Sequence, residues 1–186
     1  MISARLWKFG DDINTDLMLP GAVMVKNEAE QARAVFAANR PGWIDQMKKG
    51  DALVAGSNFG MGSNRPASRS LRNIGVAFLL AESINGLFFR NSVNFGFLAL
   101  ECPGCFEAFD EGDTAELDLD AWSVRNARSG AVLKPQPIPE RLLTLMRGGG
   151  EFERRHCEDR DPELLAKGRR DEAIPKPLWI ASLRSQ

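Results

Sequence analysis

At 186 residues, with 44% hydrophobic and 26% charged side chains, the chain has room for one core-bearing domain and a modest extension, but not for two full domains. Its 24 basic and 25 acidic residues leave a net charge of -1, which gives no electrostatic ground for binding nucleic acid or an anionic membrane. No run approaches the ~20 apolar residues of a spanning helix, and the first residues lack a basic-then-apolar signal pattern, so a cytoplasmic protein with no membrane partner is expected.

In chain order, Ile2 to Phe9 alternates imperfectly and reads as a strand entering the polar turn Gly10-Asp11-Asp12. Asn14-Thr15-Asp16 follows in a loop, where Asp16 serves either an Asx-turn or the fixing of a neighbouring charge. Leu17 to Val25 is apolar, interrupted by Pro20-Gly21. Asn27 with Glu30 forms a capping-box pattern that opens a helix, and Pro41-Gly42 stops it. A short helical turn is expected over Trp43 to Met47, then a strand over Ala52 to Ala55.

That strand delivers a glycine-punctuated stretch, Gly56-Ser57-Asn58-Phe59-Gly60-Met61-Gly62-Ser63-Asn64-Arg65-Pro66. Glycines permit tight turning and close backbone approach, and Pro66 suits the first position of a helix. Ser63, Asn64 and Arg65 are therefore expected at the mouth of a helix N-terminus, a natural place for an anion. A plain strand-to-helix turn satisfies the same pattern, and neither the phosphate-loop nor the dinucleotide fingerprint fits.

The helix from Pro66 places Ala67, Leu71 and Ile74 on one side and ends at Gly75, with Arg69 and Arg72 expected in solvent. Val76 to Ala81 reads as a strand covered on both faces, and Ser83 as the cap of a helix running to about Asn94. A buried strand over Phe97 to Leu100 follows. This strand–helix alternation argues a mostly parallel, helix-covered sheet in an α/β domain. Ala115, Leu117 and Leu119 mark a half-exposed strand. Trp122 to Val124 and Ala131 to Leu133 suit a hairpin, and Pro139 to Met146 a last helix.

Cys102, Cys105 and Cys157 are an odd number that suits a reducing compartment. Cys102-Pro103-Gly104-Cys105 has the spacing of a redox pair or half a metal site, with His156 and Cys157 as completion, but no second C-x-x-C accompanies it. A turn after a buried strand accounts for it. The body is assigned to residues 1–147 and an extension of unassigned role to 148–186, where charges of both signs balance and Trp179 sits among aliphatics.

Three runs then stand together: Asp11-Asp12-Ile13-Asn14-Thr15-Asp16, Asn58 through Arg65, and Asn91-Ser92-Val93-Asn94-Phe95-Gly96-Phe97-Leu98. They resemble the small subunit of isopropylmalate isomerase (3-isopropylmalate dehydratase), a swivel domain of the aconitase superfamily, over roughly the first 145 residues. The resemblance implies a swivelling β/β/α three-layer fold and a hydro-lyase acting on a substituted malate. It implies no cofactor bound by this chain, and a [4Fe–4S] cluster on a larger partner subunit without which the chain is inert. It further implies Ser63 as the base, Arg65 as the carboxylate grip, and Asn64 and Asp16 as substrate contacts. Pro20, Gly21, Ala22, Val23 and Met24 become a specificity loop whose lack of charge suits an alkyl-bearing malate over citrate. Two departures from the family pattern are Asn64, where a second serine is usual, and Pro66-Ala67, where Glu-His is common. The competing expectation, from a different class, is a non-catalytic anion-binding or regulatory module on the same fold.

Overall fold

Eight residues of alternating side-chain direction, Ile2–Phe9, form β1, and the two halves of this strand do different work. The computed structural model describes residues 1–150. In it, Ile2–Arg5 pairs antiparallel with β5 (Thr114–Asp118), whereas Leu6–Phe9 pairs parallel with β2 (Ala52–Ala55). On one side β2, β3 (Leu79–Ala81) and β4 (Ala99–Glu101) continue in parallel; on the other β5, β6 (Ser123–Asn126) and β7 (Val132–Leu133) continue antiparallel. The result is a seven-stranded sheet of order β4-β3-β2-β1-β5-β6-β7 in a mixed α/β fold.

Because strand side chains alternate with period two, each face carries its own core. Trp7, Phe9, Leu53, Ala55, Leu79, Ala81 and Ala99 face one way. They are roofed by Met18 of α1 (Thr15–Met18), Trp43 of α3 (Trp43–Gln46), Leu71 of α4 (Ala67–Asn73) and Phe88 of α5 (Gly86–Phe95). Leu6, Val54, Leu80, Leu100 and Leu117 face the other way, against Cys105 of α6 (Cys105–Ala108) and Met146 of α7 (Glu140–Arg147). Burial on both faces is why β2 and β3 read as unbroken apolar runs.

Several expectations shift by a residue or more. The capping box forms, with Glu30 N–H donating to Asn27 Oδ1 at 3.0 Å, but α2 spans only Glu28–Arg33 rather than reaching Pro41. The chain turns at Phe36, in the left-handed region at φ 58°, and so stacks that ring on Phe9 at 4.2 Å with Trp43 edge-on. Asn14-Thr15-Asp16 is not loop throughout, since Asn14 caps α1. Pro66 is the cap residue of α4 and not its first turn. Asn85, not Ser83, caps α5, because the Ser83 hydroxyl accepts from the Asn58 N–H at 2.8 Å. Arg69 and Arg72 are engaged instead of solvated. Arg69 pairs with Glu28 at 2.8 Å and lies over the Phe95 ring, and Arg72 donates to the Phe95 carbonyl at 2.9 Å, at the α5 C-terminus. The readings placed on His156, Cys157 and Trp179 lie outside the described residues.

Two buried carboxylates stand at the starts of strands, Asp51 just before β2 and Asp113 just before β5. Burial pushes the Asp51 carboxyl up, but hydrogen bonds from Arg5, the Lys48 N–H and the Trp7 indole at 2.8 Å outweigh it and hold the group below its ordinary value. Asp113 receives Arg128 at 2.6 Å, Asn126 at 2.7 Å and the Asp110 N–H at 2.9 Å; the Arg128 bond leads in lowering it, to about 2. A carboxylate lowered by folding stabilises the fold above its unfolded pKa of ~3.9 and loses that contribution as pH falls through the folded value. Asp113→Asn is therefore expected to destabilise the protein by about 1–3 kcal/mol at pH 7 through unmatched donors. In denaturant titrations across pH, the gap to wild type should close between about pH 4 and 2; a gap independent of pH would show that the charge is not what matters.

Candidate functional site

The loop after β2 has little regular structure of its own, and its form is imposed by the segment that follows β1. Gly60 N–H donates to Ile13 O at 2.7 Å and Thr15 N–H to Met61 O at 2.8 Å, a short parallel pairing centred on Asn14 and Met61. One step earlier, Asp12 N–H donates to Ser57 O at 2.9 Å, and Asp11 Oδ1 accepts the Ser57 N–H at 2.6 Å. Asn58, at φ 59°, turns its amide to Asp12 Oδ1 at 2.9 Å.

The glycines serve this self-approach. A Cβ at Gly56 would stand 2.0 Å from Asp11 Oδ1, and one at Gly60 would stand 2.3 Å from the Phe88 ring. Gly60 and Gly62 also hold positive φ, at 81° and 101°, which a side chain would strain. The close approach expected toward a ligand is at these positions an approach to the protein's own neighbours.

Ser63, Asn64 and Arg65 follow this pairing and precede α4. The Ser63 carbonyl accepts from Thr15 Oγ1 at 2.8 Å and from the Arg65 N–H at 2.8 Å, so its backbone is pinned while the residue itself is exposed. Asn64 is exposed, and its Oδ1 accepts from Asn91 on α5 at 2.8 Å. Arg65 is largely covered. Its Nη1 donates to Leu19 O at 2.9 Å, its Nη2 pairs with Asp16, and its Nε is buried with no partner among the described residues.

Asp16 and the Gly21 turn thus meet Arg65, with Ser63 and Asn64 just before it in the chain. Asp16 sits in the first turn of α1, exposed, and reaches Arg65 from there. Pro20 caps a 3-10 turn over Gly21–Val23, and a Cβ on Gly21 would stand 3.4 Å from Arg65 Nη1. Gly21 and Ala22 are exposed beside the arginine, while Val23 and Met24 pack against the core. Val25, next along, is 92% exposed. The three sequence runs behind the resemblance are joined by Asn58–Asp12, Thr15–Ser63 and Asn91–Asn64.

Three contributors escaped the sequence reading. Thr15 is the latch on Ser63, Asn91 orients Asn64, and Ser83 supports the Asn58 turn. Each acts through one side-chain hydrogen bond to a residue distant in sequence. Thr15 and Asn91 lay inside the runs that carry the resemblance, but nothing in their spacing marked these contacts.

Among the described residues, no three His, Cys, Asp or Glu side chains converge to hold a metal, and no helix is long and apolar enough to cross a membrane. The aconitase C-terminal domain family matches residues 14–104. The isopropylmalate/citramalate isomerase small subunit of Methanocaldococcus jannaschii is 37% identical over 152 residues, spanning 81% of this chain and 90% of that one. A 3-isopropylmalate dehydratase small subunit of Archaeoglobus fulgidus is 39% identical over 151 residues, spanning 80% and 93%. A methanogen homoaconitase small subunit of Methanothermobacter thermautotrophicus is 34% identical over 152 residues, spanning 81% and 88%. The crystal structure of a 3-isopropylmalate dehydratase from Methanocaldococcus jannaschii superposes with a TM-score of 0.76 at 27% identity, covering 86% of this chain and 97% of that one. Sequence and fold agree: the chain belongs to the small-subunit family of the 3-isopropylmalate dehydratases, in the aconitase superfamily.

Proposed function

We propose that this chain supplies the proton-transferring serine and the carboxylate-binding arginine of a hydro-lyase that isomerises an alkyl-substituted malate by dehydration and rehydration. It works as the small partner of a larger, cluster-bearing subunit, with the substrate at their interface. The observation that carries the reading is the convergence on Arg65: Asp16, the Leu19 carbonyl and the Gly21 turn all meet its guanidinium, two residues from an exposed serine.

The roles follow from chemistry. Dehydration of a hydroxy-diacid needs a base for the proton on the carbon beside the hydroxyl-bearing one, and the same group returns a proton during rehydration at the other carbon. Ser63 offers a hydroxyl on a residue whose carbonyl is held by two hydrogen bonds, from Thr15 Oγ1 and the Arg65 N–H. A serine acts as base only where its alkoxide is stabilised, and Arg65 provides a fixed positive charge beside it once docking excludes water. A planar guanidinium also holds a carboxylate through two parallel bonds, which fixes the substrate's orientation. Asn64 adds a donor amide at the mouth of the site, where it replaces a hydroxyl donor with a larger one. When bound, the partner's [4Fe–4S] cluster supplies the Lewis acidity that assists loss of the hydroxyl.

One observation favours the alternative of a non-catalytic module on the same fold. Arg65 already has two internal acceptors, as a purely structural arginine would. Substitutions in the assembled enzyme separate the two. Ser63→Ala removes only a hydroxyl, since Thr15 bonds to the carbonyl, so folding and assembly should persist. Turnover should fall by roughly 10²-fold or more, the scale of general acid–base contributions. Wild-type-like turnover in the complex would remove the base assignment. Arg65→Lys should raise KM and lower kcat together, by about tenfold in each, as a bidentate grip becomes a point charge; unchanged kinetics would assign Arg65 to structure alone.

Substrate preference follows from the loop beside Arg65. From Pro20 to Val25 the chain carries no charge, and Lys26 beyond it is exposed. Such a lining cannot compensate a third carboxylate, which costs several kcal/mol when desolvated unpaired, whereas each buried methylene contributes roughly 0.8 kcal/mol. Competition on the assembled enzyme should show kcat/KM for 3-isopropylmalate exceeding that for citrate by about 10²-fold or more. Comparable values would show that Lys26 bends into the site, or that this loop does not set specificity.

A further inference from the structure

Away from the glycine loop's tip, a second pair of reactive side chains sits at its base. Cys102 and Cys105 close the end of β4, and both are fully buried. The Cys105 N–H donates to Cys102 O at 3.0 Å. A hydrogen-bonded turn of this type holds its first and fourth Cα within ~7 Å, which overlaps the separation a disulfide spans. Both side chains lie in the same buried core cluster. Cys105 keeps its proton, its thiol pushed far up by the neighbouring Cys102 and by burial, while Cys105 in turn draws Cys102 down against burial and Glu82.

The surroundings are built for a fixed turn. Gly104 takes the left-handed conformation at φ 83°, and the Glu82 carboxylate clamps the turn by accepting from the Gly104 N–H at 2.8 Å and the Phe106 N–H at 2.7 Å. Pro103 and Gly104 between the two buried cysteines are exposed. Cys105 Sγ also donates to Ala55 O at 3.9 Å, which shares that carbonyl with the Glu82 N–H at 3.2 Å. Ala55 is the residue from which the loop carrying Ser63 departs.

We propose that Cys102 and Cys105 are a peroxide-responsive modification site that closes to a reversible intramolecular disulfide at the root of the glycine loop. The Cys102 thiolate attacks one oxygen of hydrogen peroxide; the O–O bond breaks and hydroxide leaves, taking the proton lost from Cys102 to become water. The Cys102 sulfenic acid that remains is attacked by Cys105 sulfur. Its S–O bond breaks, and the departing hydroxide takes the Cys105 proton as a second water. Two thiols and one peroxide become one disulfide and two waters. The Cys105 S–H then no longer donates to Ala55, which ties the oxidation state to the strand end that positions the loop.

The test uses the full chain in wild-type form and as Cys157→Ser, exposed to hydrogen peroxide, then denatured, alkylated with iodoacetamide and weighed intact. Both proteins should lose two hydrogens and two alkylation adducts, and dithiothreitol should restore them. Cys102→Ser and Cys105→Ser should show no such loss. The proposal is overturned if Cys157→Ser keeps both thiols alkylatable, if the disulfide depends on Cys157, or if only irreversible oxygen addition occurs. The readout is thiol chemistry, independent of whether Ser63 and Arg65 carry the isomerisation.

Discussion

The position of every candidate functional side chain depends on the parallel pairing of Ile13–Thr15 with Gly60–Met61. Ser63 and Arg65 belong to no helix or strand, so without these bonds the residues between β2 and α4 would pay the full entropy of an unstructured loop to reach one geometry. The pairing prolongs β1 and β2 past their formal ends: the two strands are already parallel neighbours, and the chains leaving them stay in hydrogen-bonding range. A site formed where adjacent parallel strands terminate is what an open α/β sheet makes available. Here the vacancy is filled by the protein's own backbone, and Thr15 Oγ1 carries the ordering on to Ser63.

That dependence explains which glycines matter. Gly56 and Gly60 are required because Asp11 and Phe88 occupy the space a Cβ would take. Phe88 lies in the core with Phe59 edge-on at 5.3 Å, so the loop is clamped from below by an aromatic pair while its upper edge carries Ser63. The stretch carrying Ser63 is therefore a thin exposed rim on a packed base, which gives positional precision without burying the serine.

Much of this was legible in the sequence where one local rule governed the outcome. Ile2–Phe9 and Ala52–Ala55 end where the alternation and the apolar run end, and Asn27 with Glu30 makes its capping box. The alternation of apolar runs with helical periodicity foretold the parallel half of the sheet. Local rules failed where tertiary contacts outbid them. Ser83 has the chemistry of a helix cap, but its hydroxyl is taken by Asn58, leaving the cap to Asn85. Helix α2 stops early because burying Phe36 against Phe9 and Trp43 outweighs continuing a helix across the surface. Arg69 and Arg72 look like solvated charges on a helix, yet Glu28 and the α5 C-terminus were close in space and invisible in spacing. The candidate site was readable as residue types; the Thr15 and Asn91 contacts that orient it were not.

The Asp16–Arg65 pair reconciles the internal contacts of this arginine with the carboxylate-binding role proposed for it. An arginine that is to receive a carboxylate must be held in place beforehand, or ordering a flexible side chain offsets the gain from binding. Its two partners here are unequal. Leu19 is a fully buried residue whose carbonyl is fixed by the fold, whereas the Asp16 side chain is 52% exposed. A half-exposed ion pair contributes at most about 1 kcal/mol, because water solvates the released carboxylate. On the proposed function, a substrate carboxylate that sheds water at a docked interface would gain more from the guanidinium than Asp16 forfeits, since screening falls as solvent is excluded. The Leu19 bond would then aim the arginine and survive the exchange, with Asp16 neutralising it beforehand.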